Sequence, residues 1–105
     1  MAAGLILTFT GRGRADYEKV NANLGMDMTS PNASWPSGLM EHTSGTTDAG
    51  ELVVCEMWES RDAQARFMQE RLGPALGKAG LGGDRPNIEW FDVIVSSNPQ
   101  VAAKA

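Results

Sequence analysis

The chain has 105 residues, with 9 Lys and Arg against 13 Asp and Glu, a formal net charge of −4. That length suits a single domain, and an apolar content of 42 % supplies core material that a disordered chain lacks. An acidic balance without a long basic run gives no counterion-release term for DNA or RNA, no apolar stretch approaches the roughly 20 residues that span a bilayer, and Cys55 has no second cysteine to pair with. With no N-terminal stretch that joins basic residues to an apolar run and a cleavage site, the expected location is the cytoplasm.

Residues 4–10 form a β-prone apolar run closed by Gly11 and Gly13, which predicts a buried strand. From Arg14 the apolar spacing changes to Tyr17, Val20 and Leu24, one helical stripe, with Asp16 and Glu18 in the first turn and an end near Gly25. Residues 27–37 hold Pro31, Asn32 and Pro36 and read as a loop whose one large apolar member is Trp35. Residues 39–46 and 51–58 flank Asp48-Ala49-Gly50, a hairpin loop with Gly in the third, left-handed place. In that register Thr47 faces Glu51, His42 faces Glu56 and Met40 faces Trp58. A loop one residue shorter would oppose Glu41 to Glu56, an unfavourable like-charge pair.

Ser60 is a suitable N-cap for a second helix carrying Ala65, Met68, Leu72, Ala75, Leu76 and Ala79 at helical spacing. Gly73-Pro74 in its middle predicts a kink or a restart. A last strand is expected over residues 87–95, within a domain of residues 1–97 followed by a weakly ordered tail, 98–105. The order β-α-β-β-α-β predicts an α+β split βαβ plait: a four-stranded antiparallel sheet with two helices on one face. One parity class of each strand is mainly apolar: Leu5, Leu7 and Phe9; Val53, Cys55 and Met57; Phe91, Val93 and Val95. The other is mixed: Thr8 and Thr10; Met40, His42 and Ser44; Val54, Glu56 and Trp58; Ile88, Trp90 and Asp92. Two buried faces are implied, one under the helices and one under a second copy of the chain, so a homodimer is expected.

The string from Trp35-Pro36-Ser37-Gly38 through Glu41-His42, with Val53-Val54-Cys55-Glu56-Met57-Trp58-Glu59-Ser60 after the turn, resembles the ferredoxin-like dimeric α+β barrel superfamily, closest to antibiotic biosynthesis monooxygenase-like domains. Its most specific motif is the Trp58-x-Ser60 junction. The resemblance implies that the mixed face looks at the helices and that the apolar face closes a barrel with the second protomer. It also implies a pocket between sheet and helices lined by Trp58. Members include cofactor-independent oxygenases of aromatic polyketides, haem-degrading enzymes, cyclases, isomerases and domains without known activity. Related haem enzymes take their axial histidine from the second-helix region, where residues 60–80 hold none, so haem is disfavoured and no cofactor is expected.

His42 is the only histidine, so imidazole chemistry must pass through it, with Glu56 to orient the ring. The plainer reading is a half-buried histidine bonded to a strand neighbour. Thr8, Tyr17, Met40, Trp58, Met68, Trp90 and Asp92 are the candidate ligand-binding residues, a wall for a flat aromatic molecule, although each also serves as ordinary core or surface. Cys55 falls on the parity opposite His42 and reads as a buried, inert thiol. Gly11-Arg12-Gly13 lacks the third glycine of a dinucleotide loop, and neither a zinc motif nor a Gly-x-Ser-x-Gly elbow is present. Two functions remain: a cofactor-independent monooxygenase-like enzyme with His42 as base, and a non-catalytic metabolite-binding or assembly domain. A His42–Glu56 contact open to a cavity favours the enzyme.

Overall fold

In the computed structural model, which describes residues 2–26 and 35–97, β1 (Ala3–Phe9) takes an inner position in a 4-stranded sheet ordered β2-β3-β1-β4. It pairs antiparallel with β3 (Leu52–Trp58) on one side and β4 (Asn87–Asp92) on the other, and β2 (Leu39–Thr46) pairs with β3. This is the expected α+β plait. The proposed tail, 98–105, and most of the 27–37 loop lie outside the described residues.

The hairpin follows its loop. Gly50 has φ of +83°, its N–H donates to the Thr47 carbonyl at 2.8 Å, and the Thr47 N–H donates to the Glu51 carbonyl at 2.9 Å. The register places His42 opposite Glu56, as the loop chemistry requires. Beyond Glu41, which faces Met57, the ladder slips at a β-bulge, so Leu39 and not Met40 lies opposite Trp58. The chain enters β2 from a turn in which the Leu39 N–H bonds the Pro36 carbonyl, while the Gly38 carbonyl accepts from the Glu59 N–H. The bulge takes up the extra residue and turns Met40 outward, where it is exposed.

α1 (Arg14–Leu24) starts where the Gly13 N–H donates to the Asp16 side chain at 3.0 Å and stops at left-handed Gly25. α2 (Arg61–Phe67) is capped by Ser60, whose Oγ accepts from the Ala63 N–H at 3.2 Å. The restart expected near Pro74 takes the form of a π turn, Met68–Leu72, followed by α3 (Gly73–Lys78). Pro74 has no N–H for the Glu70 carbonyl. The Gly73 N–H reaches back five residues to the Met68 carbonyl, and the widened turn feeds Pro74 into the first turn of α3, where a missing donor is tolerated.

The helices cover the face that holds Trp58, Val54 and Leu52, and the register puts Ala3, Leu5, Leu7 and Phe9 on that same face. This corrects the parity grouping of β1. Leu5, Leu7 and Phe9 belong with His42, Glu56 and Trp58, while Thr8 lies opposite Val53 and Asn87 on the far face. One class of β1 is wholly apolar and the other holds Gly4, Ile6 and Thr8, and in a sheet expected to be covered on both faces that alternation does not say which class faces the helices; its register with β3 does. On the far face the Phe91 ring lies over Gly4, its cross-strand partner, and occupies the space a Cβ would need. Cys55 is on this face, away from His42 as expected, but it is exposed rather than buried, because among the described residues no helix or strand covers it. β4 also ends earlier than expected: the Val93 N–H bonds the Ala2 carbonyl, and Ile94 and Val95 beyond it are exposed.

Among the described residues no helix is long and apolar enough to cross a membrane. The face assignment gives an unequal pair of outcomes. Leu5→Ala, at a side chain 1 % exposed, should cost about 2–5 kcal/mol, and Thr8→Ala about 1 kcal/mol or less, read from denaturant midpoints of the two variants. Equal losses would contradict the face assignment.

Candidate functional site

Three elements bring one polar group each to a common point in the apolar layer. β3 supplies Glu56, β2 supplies His42 directly opposite it, and α1 supplies Tyr17 from its apolar stripe. His42 Nδ1 lies 2.8 Å from Glu56 Oε2, and His42 Nε2 lies 2.6 Å from the Tyr17 hydroxyl. The indole N–H of Trp58 donates to Glu56 Oε1 at 3.0 Å. A carboxylate only accepts, so the arrangement assigns the ring proton to Nδ1 and leaves Nε2 to accept from Tyr17. The His42 and Glu56 side chains are 11 % and 9 % exposed. A carboxylate that dry is costly unless its oxygens are bonded, and here both are.

The Tyr17 ring lies end-on to the imidazole across their hydrogen bond, its centroid 6.0 Å away and its plane inclined by 20°, and the Trp35 ring lies at 5.8 Å, tilted 45°. The pair borders a cavity of about 330 Å³ between sheet and helices. Its walls are otherwise mostly apolar: Leu7 and Phe9 from β1, Val20 and Leu24 from α1, and Phe67, Met68 and Leu72 from the second helical layer. That volume falls at the lower end of the roughly 300–1,000 Å³ typical of ligand pockets. The π turn contributes directly, since Met68, Leu72 and Gly73 all face the cavity.

At the other end the segment carrying Leu81, Gly82, Asp84 and Pro86 closes the wall. Arg12 holds it in place: its Nε and one terminal nitrogen each donate to Asp84 at 2.9 Å, and its guanidinium also reaches Asp16 at 3.4 Å. The hydrogen bonds from Arg12 hold the Asp84 carboxyl below its ordinary value, and those to Asp84 raise Arg12. Gly11-Arg12-Gly13, read in sequence only as a failed phosphate loop, thus supplies a latch.

Of the candidate residues, the structure brings together His42, Glu56, Tyr17 and Met68 at the cavity wall. Trp58 is wholly buried behind Glu56, packed on Phe67 with ring centroids 5.8 Å apart, and acts on the site through its N–H. Trp90 shares the face but packs beside the Leu5–Leu7 cluster, with the Arg61 guanidinium 5.0 Å over its ring. Thr8 is on the far face, Met40 is turned out at the bulge, and Asp92 is exposed at the end of β4 opposite Ala3, so none of the three lines the cavity. Trp35, Asn21 and the Arg12–Asp84 pair are additions that the sequence pattern did not reveal, because each reaches the site from a loop or a helix flank. Among the described residues no group of three or more His, Cys, Asp and Glu side chains converges as a metal site.

Neither a protein-family model nor a curated protein matches the sequence. Solved structures do match the fold. Rv0793 from Mycobacterium tuberculosis superposes with a TM-score of 0.63 at 17 % identity over 93 % of this chain and 100 % of its own. SnoaB, a cofactor-independent oxygenase from Streptomyces nogalater, gives 0.60 at 14 % identity over 90 % and 95 %. The ActVA-Orf6 monooxygenase of Streptomyces coelicolor, solved with nanaomycin D, gives 0.56 at 20 % identity over 91 % and 93 %. The chain therefore has the ferredoxin-like α+β fold of antibiotic biosynthesis monooxygenase-like proteins, and likenesses at these identities speak to the fold alone.

The latch has a defined pH dependence. Because the folded Asp84 value lies below the ordinary 3.8, its contribution is present above that value and is lost as the pH falls through the lowered one. Asp84→Asn should therefore lower the melting temperature near neutral pH and make the variant's acid limb shallower than the parent's, measured by melts across the acid range. Parallel acid limbs would count against the latch.

Proposed function

We propose that this protein is a small-molecule enzyme of the cofactor-independent oxygenase type, acting on a flat aromatic or polyketide-type molecule that carries an acidic hydroxyl. The observation that carries this reading is the buried His42–Glu56 pair bordering an otherwise apolar cavity. A base held in its reactive tautomer by a carboxylate accepts a proton from a bound hydroxyl, and a dry apolar wall keeps the resulting anion from water. Such an anion is electron-rich and reduces dioxygen itself, so the chemistry needs no resident cofactor. The oxygenases among the structural neighbours lend support through the shared fold.

The working unit in this reading is a homodimer. The far face carries Ile6, Val53, Met57 and the exposed Phe91, and a second copy of the sheet would cover it. An interface of the obligate kind buries more than roughly 2,000 Å², and Val53→Asp would place a charge within it.

A thermal-shift screen of flat aromatic acids and quinols, with haem as a control, should stabilise the protein with members of the aromatic set. On the compound so identified, His42→Ala should lower turnover by roughly a hundredfold or more while costing about 1–3 kcal/mol of stability through the unpartnered Glu56. Binding that persists with no turnover in the parent protein would make the cavity a metabolite-holding site rather than a catalytic one. Sedimentation should report a dimer, and Val53→Asp an aggregating or unfolded monomer; a single 11.2 kDa species of the parent chain would refute the dimer.

A further inference from the structure

We propose that Tyr17, not His42, is the group that meets the substrate hydroxyl, and that His42 and Glu56 act through it as a proton relay. The inference rests on the function proposed above and deepens it. Both ring nitrogens of His42 are already engaged, Nδ1 by Glu56 Oε2 at 2.8 Å and Nε2 by the Tyr17 hydroxyl at 2.6 Å. The two hydrogen bonds fix opposite ends of the ring, so neither nitrogen turns toward the cavity without breaking both. A bound hydroxyl thus finds no vacant acceptor on the imidazole.

The Tyr17 oxygen is different. It donates its one proton to Nε2 and keeps lone pairs for a second partner. Tyr17 borders the cavity and also a surface groove formed with Arg14, Asn21 and Ser44. The transfer balances as follows. The substrate O–H bond breaks and its proton goes to the Tyr17 oxygen, while the proton that Tyr17 carried passes to His42 Nε2. The substrate is left as an anion, Tyr17 is again a neutral phenol, and the imidazolium is paired with Glu56, whose other oxygen accepts from the Trp58 indole N–H. This is the order of a nucleophile–base–orienter triad, with a phenol in the first place and proton transfer in place of bond formation.

The test uses para-nitrophenol, a flat phenol whose anion alone is yellow, at a fixed pH at which free probe is mostly protonated. The parent protein should bind it and raise the anion-to-phenol ratio. Tyr17→Phe should bind the probe yet lower that bound ratio roughly tenfold or more, a shift of one unit in its apparent pKa. An unchanged or higher ratio in Tyr17→Phe means that the freed Nε2 takes the proton directly, which overturns the relay and leaves the oxygenase-type reading standing. Failure of the parent protein to bind or ionise the probe overturns that reading and the relay with it. A second measurement needs no variant: Tyr17 is the only tyrosine, so isotope-labelled tyrosine gives one Cζ resonance. It should move when the probe binds, and a resonance that stays fixed at saturation overturns the relay.

Discussion

A carboxylate placed among apolar side chains must find donors for both oxygens, and Glu56 finds them in His42 and Trp58. Much of the local structure is tied to that requirement. The Nδ1 partner sets the histidine tautomer, and the tautomer makes Nε2 an acceptor for a phenol on α1. The indole partner fixes Trp58 in its completely buried position, where its ring packs on Phe67 and Ala63 and seats α2 against the sheet. One polar side chain thus couples a hairpin, two helices and the histidine, and deleting any member leaves another group short of a partner.

The cavity lies where the helical layer is interrupted over the sheet. A regular helix through Pro74 would lose a hydrogen bond and meet a ring clash. The π turn resolves both, and it places Met68, Leu72 and Gly73 along the cavity wall. The segment after α3 has little regular structure to hold it, and Arg12 supplies the tie from the far side of the β1–α1 connection. The site is therefore tied on its sheet side by ladder and side-chain bonds together, and at its far end by the Arg12–Asp84 pair added to the buried Leu81 and its backbone bond to Leu76.

The two faces of the sheet do different work. Toward the helices, large side chains surround one polar cluster. Away from them the Phe91 ring lies over Gly4, and among the described residues no helix covers this face. Cys55 marks the difference, an apolar-class residue that in one chain stands in solvent.

Local chemistry in the sequence determined the order of elements, the Ser60 cap, the Tyr17–Val20–Leu24 stripe and the hairpin register, because each depends on residues close to one another along the chain. The His42–Glu56 pair was legible for the same reason: Gly50 in its left-handed place sets which residues face each other. Register with a non-neighbouring strand was not legible. Only the β1–β3 pairing decided that Leu5, Leu7 and Phe9 share a face with Glu56 and that Thr8 does not. The bulge that expels Met40 depends on how the chain enters β2 beside α2, and the Arg12–Asp84 latch joins residues 72 positions apart. Tyr17 was visible as a helix-face phenol, but its bond to Nε2 was not, because the distance between α1 and β2 is set by the packing of the whole layer and not by any spacing in the sequence.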